Sequence, residues 1–130
     1  MIVDTSAVVA VLKEEPAAAR FLRDLTASGE PKRMSAASYL EAAIVVDANR
    51  NPLLSRRFDD LIVRTEIAVE PVTLEQAEIA RAAYRDFGKG SGHAAQLNFG
   101  DCFAYALARA RREPLLFKGD DFSHTDVAVA

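Results

Sequence analysis

The sequence predicts an α/β layer fold, with a mainly parallel sheet of four or five short strands and helices on both faces. Three observations carry this reading. Short apolar runs alternate with longer segments of helical periodicity, capping and turn residues bound those runs, and neither an internal repeat nor a linker interrupts the alternation. With 130 residues there is room for one domain and one core, so residues 1–130 are read as a single unit.

The elements follow in order. Met1-Ile2-Val3 is a β-branched run that stops at Asp4-Thr5-Ser6, a cap for the helix through Ala7 to Leu12. Pro16 suits a first helical turn, and Ala18, Phe21, Leu22 and Leu25 repeat at helical spacing until Ser28-Gly29-Glu30-Pro31 breaks the pattern. Arg33 to Ala36 reads as a short strand, and Ser38 to Val46 as a mostly apolar helix whose one acid before Asp47 is Glu41. From Pro52, an apolar stripe of Leu54, Phe58, Leu61 and Ile62 lies opposite Arg56, Arg57, Asp59 and Asp60, the pattern of an amphipathic surface helix. Ile67 to Val69 reads as a strand. Thr73 with Gln76 resembles a capping box for the helix ending at Gly88. Asn98-Phe99-Gly100-Asp101 opens another helix, Pro114 to Phe117 is a strand, Gly119-Asp120-Asp121-Phe122 turns, and Val127 to Val129 is expected as a last edge strand.

Composition narrows the function. Sixteen Lys and Arg against nineteen Asp and Glu give a net charge of −3, so no overall positive field draws in polyanions and any nucleic-acid contact must use a local patch. Arg50, Arg56, Arg57, Arg64, Arg109, Arg111, Arg112 and Lys118 are the candidates for such a patch, although charges of this kind commonly form a solvated helix face. The single cysteine forms no internal disulfide, and with the two histidines it matches no zinc pattern, which fits a reducing cytoplasm. No apolar run approaches the roughly 20 residues of a membrane span, and no basic segment precedes an apolar stretch at Met1-Ile2-Val3-Asp4, so a soluble, unexported protein without a membrane partner is expected.

Three acids interrupt apolar sequence: Asp4 after the first strand, Glu41 within an alanine- and valine-rich helix, and Asp101 before Cys102-Phe103-Ala104. Asp120 or Asp121 adds a fourth. In parallel sheets chemistry gathers at the carboxyl ends of strands, where Asp4 and Asp120 fall. Carboxylates brought together there repel one another unless a cation neutralises them, and oxygen donors alone favour a hard ion, Mg2+ or Mn2+. Such an ion activates water for attack on a phosphodiester. Each acid also has an ordinary reading: Asp4 and Asp101 as helix caps, Glu41 as a solvent-facing acid, and Asp120-Asp121 as turn residues. Cys102 reads as a buried structural thiol, and His93 and His124 as exposed surface residues, with substrate contact as the functional alternative for His93.

Four segments together resemble one family. Met1 to Ala7, Ser35 to Glu41, Leu97-Asn98-Phe99-Gly100-Asp101-Cys102-Phe103-Ala104-Tyr105-Ala106-Leu107-Ala108, and Leu115-Leu116-Phe117-Lys118-Gly119-Asp120-Asp121-Phe122 look like a PIN domain of the VapC toxin type, along the whole chain. The resemblance implies a PIN-like three-layer α/β/α fold and a metal-dependent endoribonuclease acting on cellular RNA. It implies a catalytic set of Asp4, Glu41, Asp101 and Asp120, with Asp4 and Asp101 as direct ligands of Mg2+, for which Mn2+ can substitute, and Thr5 or Ser6 supporting them. Asp120 is favoured over Asp121 as the acid at the strand's end, and Lys118 stands where the family often has Thr. The resemblance further implies a homodimer and a hetero-oligomer with a cognate VapB-type antitoxin whose tail fills the groove. Two other readings compete: a housekeeping RNA-processing nuclease on the same fold, and a non-catalytic RNA- or protein-binding module in which the acids are caps.

Overall fold

In the computed structural model, which describes residues 1–130, the chain runs β1 (Ile2–Val3), α1 (Thr5–Leu12), α2 (Ala18–Thr26), β2 (Arg33–Ser35), α3 (Ala36–Asp47), α4 (Pro52–Arg64), β3 (Ala68–Glu70), α5 (Leu74–Phe87), α6 (Phe99–Arg111) and β4 (Leu115–Leu116). A 3-10 turn over Asp121–His124 follows. The four strands form one parallel sheet in the order β3-β2-β1-β4. The chain therefore steps outward from β1 through β2 to β3, then crosses back to pair β4 on the other side of β1. That reversal opens a crevice between the carboxyl ends of β1 and β4. Asp4 is the residue immediately beyond β1, and its N–H continues the pairing onto Leu116 O at 3.0 Å.

Alternation along the strands sorts the two layers. Val3, Met34 and Leu116 point into the core shared with α1 to α4, whereas Ile2 and Leu115 point into the core shared with α5 and α6. Both faces of the central strands are covered, which is why they read as continuous apolar runs rather than as alternating ones. β3 is an edge strand with Ala68 and Val69 exposed. Helix α3 packs on α1 and α4 and also reaches α6, so it bridges the two helical layers. Thr5 Oγ1 donates to Ser38 O at 2.9 Å and ties the start of α1 to α3. At the sheet's margin Arg33 lies 3.4 Å from Glu70 and 3.2 Å from Glu113, and Arg111 lies 2.8 Å from Glu70, linking β2, β3 and α6.

Two expectations need correction. Val127 to Val129 forms no strand: Val129 makes only an isolated bridge to Leu115, because β4 is two residues long and its outer edge accommodates one such pairing. The reciprocal box at Thr73 is half formed, with Thr73 Oγ1 accepting from Gln76 N at 3.1 Å while the complete capping box lies at Asn98 and Asp101. No helix is long and apolar enough to cross a membrane.

Leu107, 0% exposed in the α5–α6 layer, supports the packing on that face. Leu107→Ala should lower the unfolding free energy by about 3 kcal/mol. Leu74→Ala, at a site 77% exposed on α5, should change it by less than about 0.5 kcal/mol. Urea denaturation of the two variants checks the contrast.

Candidate active site

Asp4 is the N-cap of α1 and is 4% exposed. Its Oδ2 accepts from Ser6 N at 2.9 Å and from Ser6 Oγ at 2.6 Å. Ser6 Oγ in turn accepts from Lys118 N at 2.9 Å, so one hydroxyl joins the carboxylate beyond β1 to the segment beyond β4. Either Thr5 or Ser6 was expected to support the site. Ser6 touches the carboxylate, whereas Thr5 works one layer away, on α3.

Asp101 occupies the third position of α6. Its Oδ2 accepts from Asn98 N at 2.9 Å, while Asn98 Oδ1 accepts from Asp101 N at 2.8 Å. The capping reading of Asp4 and Asp101 is therefore correct as far as it goes. In each residue the cap occupies Oδ2 and leaves Oδ1 outside these bonds, so capping and a second role do not exclude one another.

Glu41 comes from α3, half-buried, and makes no hydrogen bond or ion pair. Its carboxylate lies against Gly100 at the start of α6. The charge of Glu41 acts on both aspartates, and that of Asp4 acts on Asp101. Burial raises the Asp4 carboxyl above the usual range; the Ser6 bonds oppose that rise and the charge of Glu41 adds to it. Asp101 is pushed up to about 6, first by burial and then by the charges of Asp4, Asp121 and Glu41, against the lowering bond from Asn98.

The segment after β4 differs from the expectation that Asp120 stands at the strand's end. β4 stops at Leu116, and Phe117-Lys118-Gly119 intervenes, with Gly119 in the left-handed region at φ 95°. Asp121, in the first turn of the 3-10 helix, is the acid of this segment whose charge reaches Asp101. Asp120 and Asp121 are both exposed. Lys118 turns its ammonium away to Glu15 Oε2 at 2.5 Å. Cys102 donates to Asn98 O at 3.3 Å, and burial followed by the charge of Asp101 pushes its thiol up to about 11, which leaves it a poor nucleophile. His93 accepts from Ala95 N through Nδ1 at 3.1 Å and packs edge-on against Phe87, which fixes it within its loop.

No three His, Cys, Asp or Glu side chains converge into a metal-binding group. The donor set nonetheless suits Mg2+, which is commonly held by one or two carboxylates and keeps several waters. Asp4 and Asp101 supply two such carboxylates, each oriented through Oδ2 by backbone donors. Their raised affinity for protons is the property expected of a pair that a cation would neutralise.

A family model described as the PIN domain matches residues 1–128. The chain belongs to the PIN-domain family. Among curated PIN-domain relatives, VapC ribonuclease Mb0625 of Mycobacterium bovis and ribonuclease VapC28 of Mycobacterium tuberculosis are each 60% identical over 130 residues, covering 100% of this chain and 97% of the relative. Ribonuclease VapC42 of Mycobacterium tuberculosis is 47% identical over 130 residues, covering 100% of this chain and 98% of the relative. Among solved structures, Mycobacterium tuberculosis VapC20, described as a sarcin–ricin loop cleaving toxin, superposes with a TM-score of 0.77 at 17% identity, covering 99% of this chain and 97% of that one. A chain of a toxin–antitoxin complex from Klebsiella pneumoniae gives 0.72 at 15% identity, covering 99% and 95%. These structural likenesses establish the PIN fold, with its parallel sheet and flanking helices.

The charge cluster has a measurable sign. Asp101 binds its proton more tightly in the folded state than in the unfolded one, so its contribution to stability is present below about pH 4 and is lost as pH rises through about 6. Asp101→Asn removes the charge and keeps an oxygen to accept from Asn98 N. In EDTA, its thermal midpoint should match that of wild type near pH 4 and exceed it by a few degrees at pH 7; melting curves across that range test the sign.

Proposed function

We propose that this chain is a VapC-type toxin, a metal-dependent endoribonuclease that hydrolyses RNA phosphodiester bonds at the acidic cluster between β1 and β4. One observation carries the reading: a chain 60% identical over its full length to VapC ribonucleases keeps Asp4, Glu41 and Asp101 within electrostatic reach of one another at the carboxyl end of its sheet. Asp4 and Asp101 hold a divalent ion, Mg2+ or in its place Mn2+, through the carboxylate oxygens that their caps leave available. When bound, that ion lowers the pKa of water and stabilises charge developing on the phosphate. Glu41, whose carboxylate accepts no hydrogen bond of its own, takes the proton from the attacking water at Oε1 or Oε2. Asp121, rather than Asp120, serves as the fourth acid at the rim, an assignment supported by its charge on Asp101.

The substrate is an unpaired RNA segment, since splayed nucleotides fit a groove that a duplex does not enter. Arg50, Arg56, Arg57, Arg64 and Arg112 make no ion pair with an acid, whereas Arg109, Arg111 and Lys118 are engaged by Asp126, Glu70 and Glu15. Of the unengaged arginines, Arg64 borders the segments that precede β2 and β3 and Arg112 the segment that precedes β4, at the end of the sheet away from the acids. The toxin works in the cytoplasm as a homodimer, through apolar side chains exposed on α3 and α4 such as Leu40, Ile44 and Leu53, and is held inactive in a hetero-oligomer with a cognate VapB-type antitoxin.

Asp4→Asn, Glu41→Gln and Asp101→Asn should each lower cleavage of total cellular RNA by at least about 100-fold while the protein stays folded. EDTA should abolish cleavage, and Mg2+ or Mn2+ should restore it. Mapping of new RNA 5′ ends reads out the result, and an Asp101→Asn protein that cuts at the wild-type rate would overturn the assignment.

A further inference from the structure

Gly100 stands at the second position of α6, between Asn98, the N-cap, and Asp101, the third residue. Its backbone does not take a left-handed conformation, so nothing in its dihedral angles requires glycine. Inside a helix glycine is disfavoured relative to alanine. What the residue supplies is space, and that space is filled. A Cβ built there would lie 2.8 Å from Glu41 Cδ and 3.0 Å from Glu41 Oε1, with Oε2 nearer still. The Glu41 carboxylate thus occupies the volume of the missing methyl, on the positive end of α6 and beside Asp101.

No other group holds it. Glu41 has no hydrogen-bond or ion-pair partner, yet its charge is felt at both Asp4 and Asp101. The position of this carboxylate therefore depends on the length of its side chain from α3 and on the bare Cα that receives it.

We infer that Gly100 is a positioning residue, whose missing Cβ seats the Glu41 carboxylate beside the Asp4–Asp101 pair. The inference rests on the nuclease reading above and adds to it a residue that touches neither water nor metal. It separates site from fold. The atoms that a methyl would meet are the far end of a flexible side chain, so a Gly100→Ala protein accommodates the methyl by swinging Glu41 aside, without moving the backbone. Glutamate 41 then leaves the cluster while α6 gains a better helix former.

The experiment uses the full chain and three readouts: RNA cleavage, Mn2+ binding by calorimetry, and thermal melting in EDTA. Gly100→Ala should cut cleavage by about 10- to 100-fold, weaken Mn2+ binding, and melt in EDTA at or above the wild-type temperature. Glu41→Asp withdraws the carboxylate by one methylene and frees the seat. On that background, adding Gly100→Ala should change cleavage and Mn2+ binding by less than about twofold, so the two substitutions are strongly non-additive.

Wild-type cleavage and Mn2+ affinity in Gly100→Ala would overturn the inference, as would an equal loss from Gly100→Ala in both backgrounds, or a lowered melting temperature in EDTA. Failure of the underlying reading is separate: there, Asp101→Asn itself retains cleavage and Mn2+ binding whatever Gly100→Ala does.

Discussion

The structure depends on holding like charges together at one end of a small parallel sheet. Asp4, Glu41 and Asp101 come from the end of β1, from α3 and from α6; the charge of Glu41 opposes ionisation of Asp4, and the charges of Asp4 and Glu41 oppose ionisation of Asp101. The fold controls two of these carboxylates by local hydrogen bonds. Oδ2 of Asp4 is fixed by the first turn of α1, and Oδ2 of Asp101 by the turn that opens α6. The same atoms that start the two helices orient the two acids, so the site cannot be separated from the helix boundaries. Ser6 extends this control across the crevice, because its hydroxyl donates to Asp4 and accepts from the backbone of Lys118.

A site of this kind works against the stability of the metal-free protein. Burial and mutual repulsion oppose ionisation of Asp4 and Asp101, and neither acid has a cationic side chain as partner. Lys118, the nearest lysine in sequence to the fourth acid, pairs with Glu15 instead. Active sites commonly carry this kind of strain, and the surrounding core must supply the compensating stability. Here two apolar layers do so, with Ile2, Val3, Leu115 and Leu116 all buried within the sheet between them.

Much of this was legible in the residues. Caps, breakers and apolar periodicity located the six helices and four strands, because those signals act over a few residues of chain. The three acids were visible as interruptions of apolar sequence. The end of β4 was not, since Phe117 continues the apolar run and only pairing with β1 decides that the strand stops at Leu116. That extension made Asp120 look like the strand-end acid. The Gly119 turn carries the chain beyond the strand and brings Asp121 within electrostatic reach of Asp101. Val127 to Val129 failed for a related reason: a β-branched run becomes a strand only where a long enough edge is available to pair with it.

The sequence by itself determined the alternation of strand and helix, the starts of α1 and α6, and which acids interrupt apolar sequence, because each depends on neighbours within one or two turns. Only the tertiary structure decided that β4 lies against β1 rather than beyond β3, that one oxygen of each capping aspartate stays outside the cap, and that Glu41 rests on Gly100. Those relations join residues far apart in the chain. They arise from the packing of α3 across to α6 and from the order of strands in the sheet, which no local preference encodes.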